Sequence, residues 1–222
     1  LADNGRMNPS DNASFPSLLP EPKVVRPFGG SCSLEHGFSL DLRCDDIRLA
    51  RACEWIATVC GPDPGAIRLC VAVDPSAAPQ ASGQGYRLTI EPAYVEVVGA
   101  SAAGCFLGLR TLEQLIGQST EEVPCGLVED WPDFATRGVL IDVSRGRTPT
   151  VEALAALIDR LAGLKINQVQ LYIEHGFAFD FDRGIASSDE AFTPDEIRRL
   201  DGFACDRFID LVPAVGDIDF IG

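Results

Sequence analysis

The chain has 222 residues, of which 46% are hydrophobic, and it carries a formal net charge of −15. That length and apolar content can bury one large core or two small ones. The negative charge disfavours nucleic acid and anionic membrane as partners, because both require a basic protein surface. No apolar run approaches the roughly 20 residues that are needed to span a bilayer.

Eight cysteines and two histidines set the expectations for metal and redox chemistry. No two of the cysteines form a C-x-x-C pair, so the sequence predicts no metal site and no cofactor. Cys70 lies in the apolar run Ile67–Val73, where a cysteine is typical of a small buried hydrophobic residue. Together with the lack of a visible signal peptide, this pattern favours a reducing, cytoplasmic compartment.

The first part of the chain predicts a tail, a helix and a strand. Residues 1–20 are polar and show no periodicity, which is typical of a mobile tail. A helix is predicted from Asp45 or Asp46 to Cys60, because a Gly-Pro pair follows it directly. The short apolar run at residues 67–73 is predicted to be a strand.

Two alternating segments and a second helix follow. Residues 86–90 and 94–98 alternate between apolar and polar side chains, and three residues separate them, which predicts an antiparallel hairpin. A helical pattern then runs from about Ser101 to Ile116. Gly104 and Gly108 would let this helix approach a sheet closely. These elements together predict a small α/β domain with helices packed on a sheet.

After Trp131-Pro132 the pattern changes to alternating strands and helices. Thr148 is the predicted N-cap of the first helix, and residues 193–196 form a capping box that opens the second. The alternation predicts parallel strands joined by right-handed crossovers. The predicted strands cover residues 137–144, 166–173 and 209–213.

A basic residue follows the first of these strands. Arg145 lies at the carboxyl end of an apolar run, and parallel α/β sheets and barrels bind their ligands at that end of the strands. The spacing alone gives equal weight to a ligand-binding arginine and to an arginine that pairs with a nearby carboxylate.

Several short segments stand in a recognisable order along the chain. They are Leu18–Pro22, Phe28–Gly30, Tyr86–Ile90, Gly104, Gly108, Thr111–Leu115, Glu129–Pro132, Phe134, Arg137–Arg145 and Leu164–Asn167. In this order they resemble the motifs of the family 20 glycoside hydrolases, the β-N-acetylhexosaminidases. The resemblance implies an α/β fold: a polar tail at 1–20, a small α/β (zincin-like) domain at 21–130, and about three strands of a TIM (β/α)8 barrel at 131–222. A complete barrel takes roughly 250 residues, so we expect the barrel to be truncated.

The resemblance also implies an activity and a partner. Family members remove terminal N-acetylhexosamine with retention and without a metal, and the acetamido group of the substrate acts as the nucleophile. The expected partner is therefore an N-acetylhexosamine-containing glycan or glycoside. Arg145 matches the arginine that binds hydroxyls of the terminal sugar, and a fixed guanidinium fork suits that role. Asp142 is interpreted as structural, pairing with a neighbouring basic group.

The chain departs from the family pattern after the second and third barrel strands. Tyr172-Ile-Glu-His175 stands where the family carries a His-x-Thr-Asp-like motif. Glu174 and His175 are therefore expected to be either sugar-binding or ordinary strand-end residues, and as neighbours they point to opposite faces, which disfavours an acid–base dyad. After the third strand, Asp217 and Asp219 stand in place of a Gly-His turn, either as replacements or as part of a diverged tail.

The family's catalytic Asp–Glu pair follows a fourth strand, which this sequence does not show, so no catalytic residue is assigned. Three other adjacent acid pairs are interpreted as solvated or capping carboxylates. They are Glu121-Glu122 in a loop, Asp45-Asp46 at a small-domain helix and Asp195-Glu196 at a helix start. We therefore predict a hexosaminidase fragment with little or no activity alone. The alternatives are a non-catalytic carbohydrate-binding or interaction module on a shortened scaffold, and an unrelated open α/β domain.

Overall fold

The computed structural model describes residues 15–35, 37–59, 67–79, 83–119, 121–145, 148–173 and 191–215. Its contacts divide the chain into two compact units, Leu1–Asp133 and Phe134–Gly222. Each unit combines helices with a sheet of its own, so the expected mixed α/β fold is confirmed.

The first unit contains a six-stranded sheet and two helices. The sheet order is β1-β6-β4-β5-β3-β2. The strands β2, β3 and β5 are mutually parallel, whereas β4 runs antiparallel to both β5 and β6. The elements are β1 Val24–Ser33, β2 Phe38–Arg43, α1 Ile47–Val59, β3 Ile67–Val73, β4 Tyr86–Glu91, β5 Tyr94–Gly99, α2 Ala102–Gln118 and β6 Glu122–Asp130.

The core of the first unit lies between this sheet and its helices. Leu88 of β4 and Val97 of β5 are fully buried, as expected for alternate residues on the covered face of a strand. The predicted hairpin and the predicted close approach of α2 are both confirmed. A Cβ atom at Gly108 would lie 2.6 Å from Cγ1 of Val97, and one at Gly104 would lie 2.5 Å from the oxygen of Gly85. Only glycine allows α2 to pack this closely on the sheet.

The described end of the predicted tail is held against α2. The amide of Leu19 donates to Oε1 of Gln114 at 2.9 Å, and Nε2 of Gln114 donates back to the oxygen of Leu19 at 2.7 Å. Leu18 is buried beside this pair. A helix side chain thus satisfies the backbone of Leu19, and the mobility of the tail stays a prediction. Residues 1–14 lie outside the described part of the chain.

Three strands of the first unit were not predicted, namely β1, β2 and β6. Pro27 and two glycines interrupt β1, and a register shift falls between Pro27 and Ser31. Pro124 and Gly126 similarly weaken the local strand signal in β6. The loop interpretation of Glu121-Glu122 is thus wrong for Glu122, which begins β6.

The second unit contains three parallel strands in the order β7-β8-β9, so the predicted parallel pairing is confirmed. The capping box at residues 193–196 is also confirmed, with Pro194 at the first helical position. The first helix begins later than predicted: Thr150, and not Thr148, accepts a hydrogen bond from the amide of Ala153. The elements are β7 Gly138–Asp142, α3 Val151–Gly163, β8 Gln168–Ile173, α4 Pro194–Cys205 and β9 Asp210–Val215.

The two faces of the second sheet differ in burial. Val169 and Leu171 of β8 are buried, whereas Leu140, on the opposite face of β7, is 57% exposed. The amino ends of the strands are joined by a polar network. The amide of Arg137 donates to Oδ1 of Asn167 at 2.7 Å, and Nδ2 of Asn167 donates to the oxygen of Ala135 at 2.8 Å. This network fixes the strands at the end opposite to Arg145.

Candidate functional site

The turn that follows β7 is shaped by Asp142, the last residue of that strand. Its Oδ1 accepts hydrogen bonds from the amides of Ser144 at 2.9 Å and Arg145 at 3.1 Å. A short acidic side chain that accepts from the amides just after it is a common way to fix a tight turn. The turn therefore has a defined shape immediately before the guanidinium-bearing residue.

The same turn is attached to the neighbouring strand β8 through one carbonyl group. The oxygen of Tyr172 accepts from the amide of Val143 at 3.1 Å and from Oγ of Ser144 at 3.2 Å. The turn after β7 and the end of β8 thus form one hydrogen-bonded unit at the carboxyl edge of the sheet.

Arg145 projects from this edge. Its side chain is 72% exposed, and its Nε lies 3.7 Å from Oδ2 of Asp142. The Cζ atom of Arg145 lies 5.5 Å from the centre of the Tyr172 ring. A planar guanidinium presented in this way can donate to a carboxylate, a phosphate or a pair of adjacent hydroxyls.

This geometry bears on the two interpretations of Arg145. The arginine does pair with a nearby carboxylate, that of Asp142, and it nevertheless remains largely exposed to solvent. The pairing is long for an ion pair between exposed groups, and such pairs contribute little to stability. Pairing with Asp142 is therefore compatible with a ligand-binding role, and the structural interpretation of Asp142 agrees with its bonds to the turn.

The other proposed binding residues, Glu174 and His175, lie outside the described residues, as do Asp217 and Asp219. Their assignment stays a prediction. Tyr172 was not singled out as part of the site. No local sequence signal points to Tyr172, because its pairing with Asp142 follows from the register of the parallel strands.

Each of the three adjacent acid pairs has a member with a structural partner. Oε2 of Glu122 accepts from Oγ of Ser31 at 2.5 Å. Asp46 accepts from the amide of Arg48 at 2.9 Å and from its Nη2 at 2.7 Å, and the hydrogen bond with this side chain lowers the pKa of Asp46. Glu196 closes the capping box of α4, and its hydrogen bonds from Thr193 lower its pKa. Asp195 pairs with Arg198. These contacts are those of capping and surface carboxylates.

The described residues offer little metal or thiol chemistry. No group of three or more histidine, cysteine or acidic side chains among them could hold a metal ion. Burial raises the pKa of both Cys53 and Cys105 to about 12, so these thiols stay protonated and pack as small hydrophobic groups. Within the same residues, every helix is too short or too polar to cross a membrane.

Solved structures define the class of this fold. The chain superposes on the family 20 β-N-acetylhexosaminidase of Streptomyces coelicolor with a TM-score of 0.73, at 24% identity, covering 93% of this chain and 46% of that one. It superposes on the N-acetyl-β-hexosaminidase of Streptomyces plicatus with a TM-score of 0.71, at 27% identity and the same coverage of 93% and 46%. The fold is that of part of a family 20 glycoside hydrolase.

Sequence comparison identifies the family. The model of glycosyl hydrolase family 20, domain 2, matches residues 15–131, more than half of the chain. The chain therefore belongs to glycosyl hydrolase family 20. It is 37% identical over 116 residues to the β-N-acetylhexosaminidase of Cellulomonas fimi, covering 51% of this chain and 22% of that protein. It is 28% identical over 180 residues to a β-hexosaminidase of Porphyromonas gingivalis, covering 70% and 23%. The chain thus spans less than a third of these relatives.

Proposed function

We propose that the chain supplies the small α/β domain and the first barrel strands of a β-N-acetylhexosaminidase-like glycoside hydrolase. The parent enzyme would remove terminal N-acetylhexosamine by retaining, substrate-assisted hydrolysis. The observation that carries the proposal is an exposed guanidinium, that of Arg145, at the carboxyl edge of a parallel sheet in a family 20 chain. The names of the relatives from Cellulomonas fimi and Streptomyces plicatus support this activity.

In this proposal Arg145 binds the terminal sugar. Two neighbouring hydroxyls of a pyranose ring present oxygen acceptors that match the fork of a guanidinium. The site lies where parallel barrels bind their substrates, at the carboxyl ends of the strands. Glu174 and His175 follow β8 directly in sequence, and we include them as further sugar-binding residues.

The chain alone is proposed to be inactive. Substrate-assisted hydrolysis requires a carboxylic acid to protonate the leaving group and a carboxylate to orient the acetamido group. Asp46, Asp195 and Glu196 are engaged in surface or capping contacts far along the chain from Arg145. We infer that the catalytic acids of the parent enzyme come from outside these residues.

A chromogenic assay tests this proposal. We expect no release of nitrophenol from 4-nitrophenyl N-acetyl-β-glucosaminide above the blank, with an active β-hexosaminidase as the positive control. Release that disappears in Arg145→Ala would contradict the inactivity of the chain. In parallel, the affinity for methyl N-acetyl-β-glucosaminide should fall at least tenfold in Arg145→Ala, and equal affinity in both proteins would contradict the binding role.

Thermal melting with an apolar dye separates the fragment from the alternative, a self-sufficient binding module. If the chain is a fragment, its second sheet is an open part of a barrel, and we expect a contiguous apolar patch around Leu140, which is 57% exposed. We expect the dye to fluoresce at 25 °C before any melting. A dark baseline followed by one cooperative transition would favour the binding module.

A further inference from the structure

We propose that Tyr172 and Asp142 are positioning residues that hold the Arg145 guanidinium ready for the sugar. The inference rests on the proposed sugar-binding function of Arg145. It concerns residues that do not themselves need to contact the sugar. The Tyr172 ring makes a cation–π contact with the Arg145 guanidinium, and the Asp142 carboxylate lies close to its Nε.

The position of Tyr172 follows from strand register. Tyr172 pairs with Asp142 across β8 and β7, so both side chains leave the sheet on the same face. The Tyr172 ring centre lies 5.5 Å from Cζ of Arg145, which is within the range of a cation–π contact. The ring thus provides a support for the flat guanidinium.

The backbone of Tyr172 reinforces this contact. Its carbonyl oxygen accepts from the amide of Val143 and from Oγ of Ser144, the two residues that precede Arg145. The turn and the ring are therefore anchored at one residue, and a shift of the end of β8 would move both together.

Asp142 constrains the arginine through a second set of contacts. Its Oδ1 binds the amides of Ser144 and Arg145, and its Oδ2 lies 3.7 Å from Nε of Arg145. The contact is made to the guanidinium nitrogen nearest the chain, while the side chain as a whole stays 72% exposed. Arginine has a large rotamer entropy, and restricting it before binding increases affinity.

The expected effect on affinity is moderate. Replacing Tyr172 with leucine removes the cation–π contact and should weaken binding of N-acetylglucosamine by about fivefold. Tyr172→Phe keeps the aromatic ring and should keep the affinity. Asp142→Asn keeps an acceptor for the two amides and removes the charge, so it should weaken binding less than Asp142→Ala.

A spectroscopic experiment on the full chain tests the contact itself. The chain is labelled with ¹⁵N-arginine, and the Nε–H resonance of Arg145 is identified by its loss in Arg145→Lys. We expect Tyr172→Leu to move this resonance through the lost ring current, and Tyr172→Phe to leave it in place. Tyr94→Leu, a matched change in the first unit, should leave it unchanged. In a uniformly ¹⁵N-labelled sample, unaltered amide signals of Gln168 and Val169 show that β8 remains folded.

Titration with N-acetylglucosamine distinguishes the proposed sugar-binding function of Arg145 from the positioning role of Tyr172. A resonance that depends on Tyr172 but never responds to the sugar contradicts the proposed function and leaves the positioning contact standing. A resonance that responds to the sugar but is the same in Tyr172→Leu overturns the positioning inference alone. A response in the wild type that weakens about fivefold in Tyr172→Leu supports both.

Discussion

The two units of the chain use their sheets differently. In the first unit, helices cover one face of the sheet, and the other face carries charged pairs such as Arg87 with Glu129. In the second unit, Leu171 is buried on one face of the sheet, while Leu140 is 57% exposed on the other. The first sheet also leaves apolar side chains exposed, since Phe28 of β1 and Leu40 of β2 are 54% and 38% exposed. The contrast is therefore between a cross-strand ion pair on the first sheet and the apolar Leu140 on the second.

The first unit is a folded domain with its own core, and the second unit carries the proposed sugar site. Burial of Leu88, Val97 and their neighbours gives the first unit a core of its own. The second unit carries the three residues that the sequence proposes for sugar binding, namely Arg145, Glu174 and His175. The proposed sugar site thus lies in the second unit, at the carboxyl edge of its parallel sheet.

The largest expected effect comes from truncating one leucine in each sheet. Leu88→Ala should destabilise the chain by about 2–5 kcal/mol, because this side chain is fully buried. Leu140→Ala should cost no more than about 0.5 kcal/mol, because its side chain is largely exposed. Urea denaturation followed by circular dichroism gives both values. Similar losses for the two variants would show that the open face of the second sheet is covered in solution.

A glycine pair in α2 tests the close packing of the first unit. Gly108→Ala should cost about 1–3 kcal/mol, because the new Cβ would lie 2.6 Å from Val97. Gly117→Ala in the same helix should gain about 0.5–1 kcal/mol, since its Cβ meets no described atom within 4 Å. Differential scanning calorimetry measures both. A neutral Gly108→Ala would mean that α2 lies farther from the sheet.

The N-caps of α4 and α2 compare the stability of the two units through a smaller expected loss. Thr193→Ala removes the capping box of α4, and Ser101→Ala removes the hydrogen bond to the amide of Gly104 in α2. Each change should cost about 1 kcal/mol, because an amide at the helix start loses its acceptor. Thermal unfolding of both variants checks the values, with Thr193→Ser as a control that keeps the cap. A loss in Thr193→Ser equal to that in Thr193→Ala would rule out the capping hydroxyl as the cause.

The smallest effect concerns pH. The hydrogen bond from Arg43, and then that from Arg68, lowers the pKa of Asp41 from 3.8 to about 2. A lowered folded-state pKa contributes stability above the usual value, and that contribution is lost as the pH falls from about 4 through about 2. The ¹³Cγ resonance of Asp41, identified with Asp41→Asn, should titrate near pH 2. A midpoint near 3.8 would show that the two arginines do not hold this carboxylate.

Local signals in the sequence explain which elements could be predicted. The hairpin of β4 and β5 and the capping box of α4 depend on neighbouring residues, and both were found. The strands β1 and β6 pair with each other over a long stretch of chain, and their prolines and glycines hide the strand pattern. Their assignment requires tertiary contacts that a local pattern does not contain.

The residues of the site also divide into those with a local sequence signal and those that depend on tertiary contacts. Arg145 could be found because a charged residue directly after an apolar run is visible in the sequence. Tyr172 could not, because its contact with Arg145 depends on the register between β7 and β8. Sequence reasoning therefore identified the group that is proposed to bind the sugar, and the structure was needed to identify what holds that group.

The most direct test is to map the binding of N-acetylglucosamine on the amide resonances of the full chain. If the sugar site lies in the second unit, the perturbed signals should cluster at Asp142–Arg145 and at Tyr172, and they should vanish in Arg145→Ala. Perturbations centred in the first unit, for example around the exposed Trp55, or perturbations that persist in Arg145→Ala, would contradict the assignment of the site.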